Sequence, residues 1–134
     1  MIELLELSEV LKAVERTGTE VRYYDQSCEN KQQQGFYRLN SAVDLLVICT
    51  RNHVNHSDLL DTVRHEAIHV VQACNAGEPV LSRDYYAKNT DPDIKEHVET
   101  YYPVEHHHHE LEAFMAAEYL GEDDVVKMLD KYCF

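Results

Sequence analysis

Thr62-Val63-Arg64-His65-Glu66-Ala67-Ile68-His69-Val70-Val71 is the stretch from which the rest of the chain can be read. Its two histidines stand four positions apart, so a helix presents both on one face, and a glutamate follows the first. Around them Leu59, Leu60, Val63, Ala67, Val70, Val71 and Cys74 recur at helical spacing. One side of the segment is therefore apolar and faces a core. Ser57 is the expected N-cap and Gly77 the expected C′ stop, with Pro79 beyond it. These signals predict a helix from about Asp58 to Ala76. His65-Glu66-Ala67-Ile68-His69 is then an H-E-x-x-H pattern, with two imidazoles offered to one metal ion and Glu66 close enough to act on water at that ion. No charge falls between Glu66 and His69 to compete for the metal. The competing reading is a surface helix with two accidental histidines, but histidines beside a core-facing stripe need a reason.

Two histidines leave a zinc ion short of ligands. Metzincins extend the motif with a glycine and a third histidine. Gln72 and Asn75 occupy those places here, so the third ligand comes from elsewhere. A glutamate on a later helix is the alternative. Residues 105–120 read as such a helix, with Leu111, Phe114, Met115 and Tyr119 on an apolar side and Gly121 able to end it.

Within that helix, Glu110-Leu111-Glu112-Ala113-Phe114-Met115-Ala116-Ala117-Glu118 resembles the E-x-E-A-x-x-x-A pattern of small gluzincin-type metallopeptidases, among them the ImmA/IrrE-like family. The resemblance covers the two metal helices, well under half the chain. It implies that Glu112, the glutamate directly before the alanine, is the third zinc ligand. It also implies that Ala113 and Ala116 let the two helices approach closely. Glu105 lies two turns earlier on the same face and is the main rival; Glu110 and Glu118 are expected to point elsewhere. Thermolysin-like gluzincins often carry an aspartate four residues after the ligand glutamate, to orient a zinc histidine. Ala116 stands there, so that partner comes from another place, with Asp61 as one candidate.

One Zn²⁺ on His65, His69 and Glu112 would keep a place open for water and lower its pKa toward about 7. Glu66 would accept the proton and deliver it to the leaving amine. The expected activity is zinc-dependent hydrolysis of a peptide bond, with a peptide or protein as substrate. An oxyanion donor is usual in such chemistry, and Tyr85, Tyr86, His97, Tyr101, Tyr102 and His108 are the candidates. The run His106 to His109 points in different directions round a helix and cannot all serve one ion; at least two of the four read as a partly solvated first turn. Two other functions fit parts of the pattern. Glu66/His69 and Glu105/His108 are Glu-x-x-His pairs of the kind carboxylate-bridged di-metal bundles use, though that leaves His65 unexplained. A non-catalytic relative would keep the metal for stability or partner binding.

With 134 residues, 44% of them apolar, residues 1–134 read as a single domain with a real core. The net charge of −13 and a pI near 4.9 repel phosphate, which argues against nucleic acid and anionic membranes as partners. Glu3 and Glu6 stand where a signal peptide would be basic, and no apolar run approaches a membrane span. The expected compartment is the cytoplasm. Cys28, Cys49, Cys74 and Cys133 show no C-x-x-C spacing and, in a cytosolic chain, read as free thiols.

The remaining elements follow from periodicity. Ile2 to Thr17 reads as an amphipathic helix on Leu4, Leu7, Leu11 and Val14, stopped by Gly18. Glu20 to Tyr24, Phe36 to Leu39 and Val43 to Cys49 read as strands around a polar loop, Asp25 to Gln34. Glu78 to Thr90 reads as a loop overhanging the site. Asp91 caps a helix with Pro92 at N1 that runs to about Tyr102, and Glu122 to Tyr132 forms a last helix. The expected fold class is α+β and zincin-like: a small antiparallel or mixed sheet, the H-E-x-x-H helix, then a helical C-terminal part. Either Phe36 to Leu39 or Val43 to Cys49 would align an extended substrate at a sheet edge.

Overall fold

The computed structural model describes residues 5, 8–39 and 44–134. The expected starts of the first helix at Ile2 and of the third strand at Val43 lie outside the described residues. Helix α1 (Glu9–Arg16) leads into strand β1 (Glu20–Arg22); strands β2 (Gly35–Arg38) and β3 (Leu45–Ile48) follow. Five helices complete the chain: α2 (His56–Cys74), α3 (Arg83–Asn89), α4 (Pro92–Tyr101), α5 (His107–Tyr119) and α6 (Glu122–Cys133). The architecture is α+β, with a small mixed sheet and a mostly helical remainder.

Strand order is β1-β3-β2, with β1 parallel and β2 antiparallel to β3. Leu45, Leu46, Val47 and Ile48 are all buried, as a central strand covered on both faces requires. This decides between the two expected edge strands: β3 is interior, and β2 is an edge.

Helix α2 is the hub. It packs against β2 and β3 on one side and against α1, α5 and α6 on others. Leu59, Val63, Ala67, Ile68, Val70 and Val71 are almost wholly buried and join Val10, Leu11 and Val14 of α1 and Val125 and Leu129 of α6 in one cluster. Ala113 and Ala116 of α5 belong to it too; their small side chains let α5 lie close along α2. The Arg64 guanidinium reaches from α2 to the Ala117 carbonyl at 3.1 and 3.2 Å, satisfying a carbonyl that the end of α5 leaves without a helical partner. Before α2, His53 donates from Nδ1 to the Cys49 carbonyl and faces the Thr62 hydroxyl through Nε2, at 2.9 and 2.8 Å. The exit of β3 is thereby tied to the helix.

Several boundaries differ from the sequence expectation for local reasons. Asn55, not Ser57, caps α2, its side chain accepting from the Asp58 amide at 2.9 Å. The left-handed turn that ends α2 begins one residue before Gly77, at Ala76 (φ 59°), and the Gly77 N–H (φ 80°) returns to the Gln72 carbonyl at 2.9 Å. The segment expected as a loop, Glu78 to Thr90, contains α3, whose N-cap Ser82 accepts from the Tyr85 amide. Gly121 does not stop α5 but opens α6, its N–H donating to the Asp124 carboxylate at 3.1 Å.

The cysteines are a larger correction. They are not free thiols: Cys28 pairs with Cys49 and Cys74 with Cys133, and no free cysteine remains. The first bridge joins the turn before β2 to the end of β3. The second joins the last residue of α2 to the end of α6. Sequence separations of 21 and 59 hid both pairs from any spacing rule. The reading as free thiols leaned on an expected cytosolic setting, and it falls with this pairing. No helix among the described residues is long and apolar enough to cross a membrane.

Closing a longer loop removes more disorder from the unfolded chain, so the Cys74–Cys133 bridge should stabilise by about 4 kcal/mol and Cys28–Cys49 by about 3. Cys74→Ser/Cys133→Ser should therefore lower the guanidinium midpoint more than Cys28→Ser/Cys49→Ser. Equal midpoints for oxidised and reduced wild type would contradict both bridges.

Candidate metal centre

Helix α2 presents His65 and His69 to α5 one turn apart, as the i, i+4 spacing requires. Facing them is Glu110, one turn inside α5. A single Glu110 oxygen, Oε1, lies 3.0 Å from His65 Nε2 and 3.2 Å from His69 Nε2. These are the donor atoms of one metal-ligand group, all within 4.8 Å of one another. Four ligands around Zn²⁺ at 2.0–2.2 Å would stand about 3.3–3.5 Å apart, close to the two observed spacings. The three side chains are only 11–17% exposed. The donor set and its spacing thus fit a small divalent cation with nitrogen and oxygen preference.

The third member is not the expected one. Glu112 lies on the next face of α5 and is saturated. Its carboxylate accepts from the Val80 and Leu81 amides at 2.9–3.0 Å, the Tyr86 hydroxyl at 2.6 Å and Gln72 Nε2 at 3.1 Å. A carboxylate has about four lone-pair sites, so none is left for a metal. Glu112 instead pins the segment that follows α2. Glu105, the named rival, is exposed in the turn before α5. Residues 110 and 112 are about 200° apart round a helix, so only one of them can face the two histidines. The signal that could have found Glu110 is Phe114, four residues on. Its ring packs edge-on to His65 at 4.3 Å, so the Glu110/Phe114 face is the one turned to the histidines. The His108/Glu112 face turns to Leu81.

Glu66 is 8% exposed, and its carboxylate makes no hydrogen bond with any described residue. It lines both arms of a cleft that crosses the site, together with His65, Gln33, Gly35 and Tyr102. One arm, about 340 Å³, adds Asp58, Asp61 and Glu118, so its charges are acidic; the other, about 580 Å³, adds Phe36, Tyr37, His106 and Glu110. Edge strand β2 runs beside this cleft. At Gly35 it is wedged so tightly between β3 and α2 that a Cβ there would sit 2.7 Å from the Val47 carbonyl oxygen of β3 and 3.0 Å from Thr62 Cγ2 of α2. Only glycine permits that approach.

The expected oxyanion donors separate clearly. Tyr86 is committed to Glu112, and His108 donates to the Leu81 carbonyl at 3.0 Å. Tyr85 and Tyr101 are exposed, and His97 packs on Phe114. Tyr102 lines the cleft, and its hydroxyl makes no hydrogen bond with any described residue. Burial, and then the charges of Glu110 and Glu66, push its pKa up to about 12, so it keeps its proton. Of the histidine run, His107, His108 and His109 each donate from Nε2 to a backbone carbonyl, of Tyr102, Leu81 and Gly77. These bonds clip α5 to its neighbours, while His106 is exposed and the other three stay partly exposed, as a partly solvated first turn should be. The second Glu-x-x-His pair therefore does not join the first, and the di-metal arrangement loses its other half. Asp61 pairs with Arg64, not with a histidine.

Charge couples the triad. Burial raises the Glu110 carboxyl, but hydrogen bonds and charge from His65 and His69 outweigh it and hold it well below its usual range. Burial opposes charge on His69, yet the Glu110 hydrogen bond, Glu66 and Gln72 push its pKa up to about 9.

Fold and site together define an α+β domain with a largely buried His-His-Glu group across two packed helices. The chain belongs to a family described as a domain of unknown function (DUF8637), matched over residues 2–134. No curated protein and no solved structure matches it.

His69 contributes stability in full below its free pKa of 6.5 and loses it as pH rises through about 9. Glu110 contributes above 4.5 and loses it in acid. With chelator present, wild type should become less stable to guanidinium between pH 6.5 and 9, and Glu110→Gln much less so. Parallel pH profiles for the two proteins would refute the coupling.

Proposed function

We propose that this chain is a zinc-dependent peptidase of minimal, gluzincin-like design, with a zincin-like arrangement of sheet edge and metal helix. His65, His69 and Glu110 hold one Zn²⁺, and Glu66 is the general base. The observation that carries this reading is the meeting of both Nε2 atoms on one carboxylate oxygen; one residue after His65, the Glu66 carboxylate makes no hydrogen bond with any described residue. Zinc, when bound, supplies Lewis-acid activation of water and of a substrate carbonyl.

The chain's own groups do the rest. Glu66 has no competing hydrogen bond among the described residues, so its carboxylate can take a proton from the attacking water. It then gives that proton to the leaving amine. The Tyr102 hydroxyl, still protonated at neutral pH, donates to the oxygen on which charge develops. An extended peptide adds its backbone to the free edge of β2, past Gly35 and Phe36, which brings a scissile bond over Glu66. Burial of His65 and Glu110 keeps bulk water from solvating these charges.

Three substitutions test the roles. Glu110→Gln should weaken zinc binding by at least about a hundredfold, because losing one of three protein ligands should cost no less than losing an outer partner of a ligand. Glu66→Gln should keep zinc and lower kcat by roughly 10²–10⁴. Tyr102→Phe should keep zinc and lower kcat by about 10²–10³ with KM little changed. Metal analysis and chelator-sensitive cleavage of a peptide library read these out. Wild type that takes up no zinc, or Glu66→Gln that cleaves as fast as wild type, would overturn the proposal.

A further inference from the structure

Gln72 lies one turn beyond His69 on α2 and is 3% exposed. Its amide meets three partners. Oε1 is 2.8 Å from His69 Nδ1, while Nε2 is 3.1 Å from Glu112 Oε1 and 3.0 Å from the His109 carbonyl. A carboxylate and a carbonyl can only accept, so both amide protons are used there and the amide cannot be turned over. Its oxygen must then face His69, and His69 must carry a proton on Nδ1. When the ring is neutral, its lone pair is on Nε2, the atom that faces Glu110.

We infer that Gln72 is the positioning residue of this centre: it fixes the tautomer and ring plane of His69 so that Nε2 is offered to the metal, and Glu112 in turn fixes Gln72. This rests on the metal-hydrolase reading above. It gives Glu112 a role in the centre that needs no contact with the ion. The carboxylate is held by Val80, Leu81 and Tyr86, so the order of the segment after α2 passes through Glu112 and Gln72 to His69. His65 has no such relay. Among the described residues its ring hydrogen-bonds to Glu110 alone, and its ring packs edge-on to Phe114. A carboxylate or carbonyl beside a metal-binding histidine is the usual device for this purpose; here a side-chain amide serves, because its two N–H groups are spent elsewhere.

The test reads the histidine itself as well as the metal. In chelator-treated wild type, nitrogen and carbon NMR at a pH where the rings are neutral should show His69 as the Nδ1–H tautomer. In Gln72→Met, which removes the acceptor at similar volume, that preference should disappear while His65 is unchanged. Zinc affinity of the variant should fall about 10–100-fold, with its circular dichroism spectrum retained. Wild-type His69 found as the Nε2–H tautomer overturns the inference, whether or not the variant folds. So does a Gln72→Met protein that binds zinc as tightly as wild type. If wild type binds no zinc but shows the Nδ1–H tautomer, the metal reading fails and the relay stands.

Discussion

One carboxylate oxygen within hydrogen-bonding distance of two imidazoles is the contact around which this structure is organised. In water such a contact would be worth little. Here it is taken out of water by α2, α5 and the start of β2, and every neighbouring group is arranged to keep it in place. The alanines of α5 let its backbone come near enough for a glutamate to reach. Arg64 closes the end of α5, and Phe114 packs edge-on to His65. Gly35 lets the edge strand pass over the same turn of α2 that carries Glu66.

The two bridges fit this picture. They add covalent ties to places already held by non-covalent contacts: Val71 and Gln72 bury the last turn of α2, and Asn52 donates to the Cys28, Asn30 and Gln33 carbonyls before β2. Cys74–Cys133 anchors the end of α2, and Cys28–Cys49 anchors the approach to β2. A chain of net charge −13 repels itself when compact, so covalent ties at these places oppose local opening around the site.

Much of the arrangement was legible in the chain. The i, i+4 histidines fixed one helix, the alternation and apolar runs marked three strands, and Asp91-Pro92 marked the start of α4. What was not legible depends on contacts distant in sequence. Choosing between Glu110 and Glu112 needs the rotation of α5 about its own axis, which periodicity leaves undetermined when both faces are covered: one by α2, the other by the segment from Val80 to Tyr86. A familiar motif pointed to the second glutamate, but its carboxylate is consumed by backbone amides that no motif records. The cysteine pairs were missed for the same reason: their partners lie across the fold. Helix α3 has a local cap in Ser82, but its 7 residues are too few for periodicity to stand out.

The account stands or falls on what the triad holds. Crystals grown with zinc and measured on both sides of the zinc absorption edge should show one anomalous peak, about 2.0–2.2 Å from His65 Nε2, His69 Nε2 and a Glu110 oxygen. Glu112 should remain on the Val80 and Leu81 amides. A peak bonded to Glu112 instead, or no peak at these histidines, would contradict it.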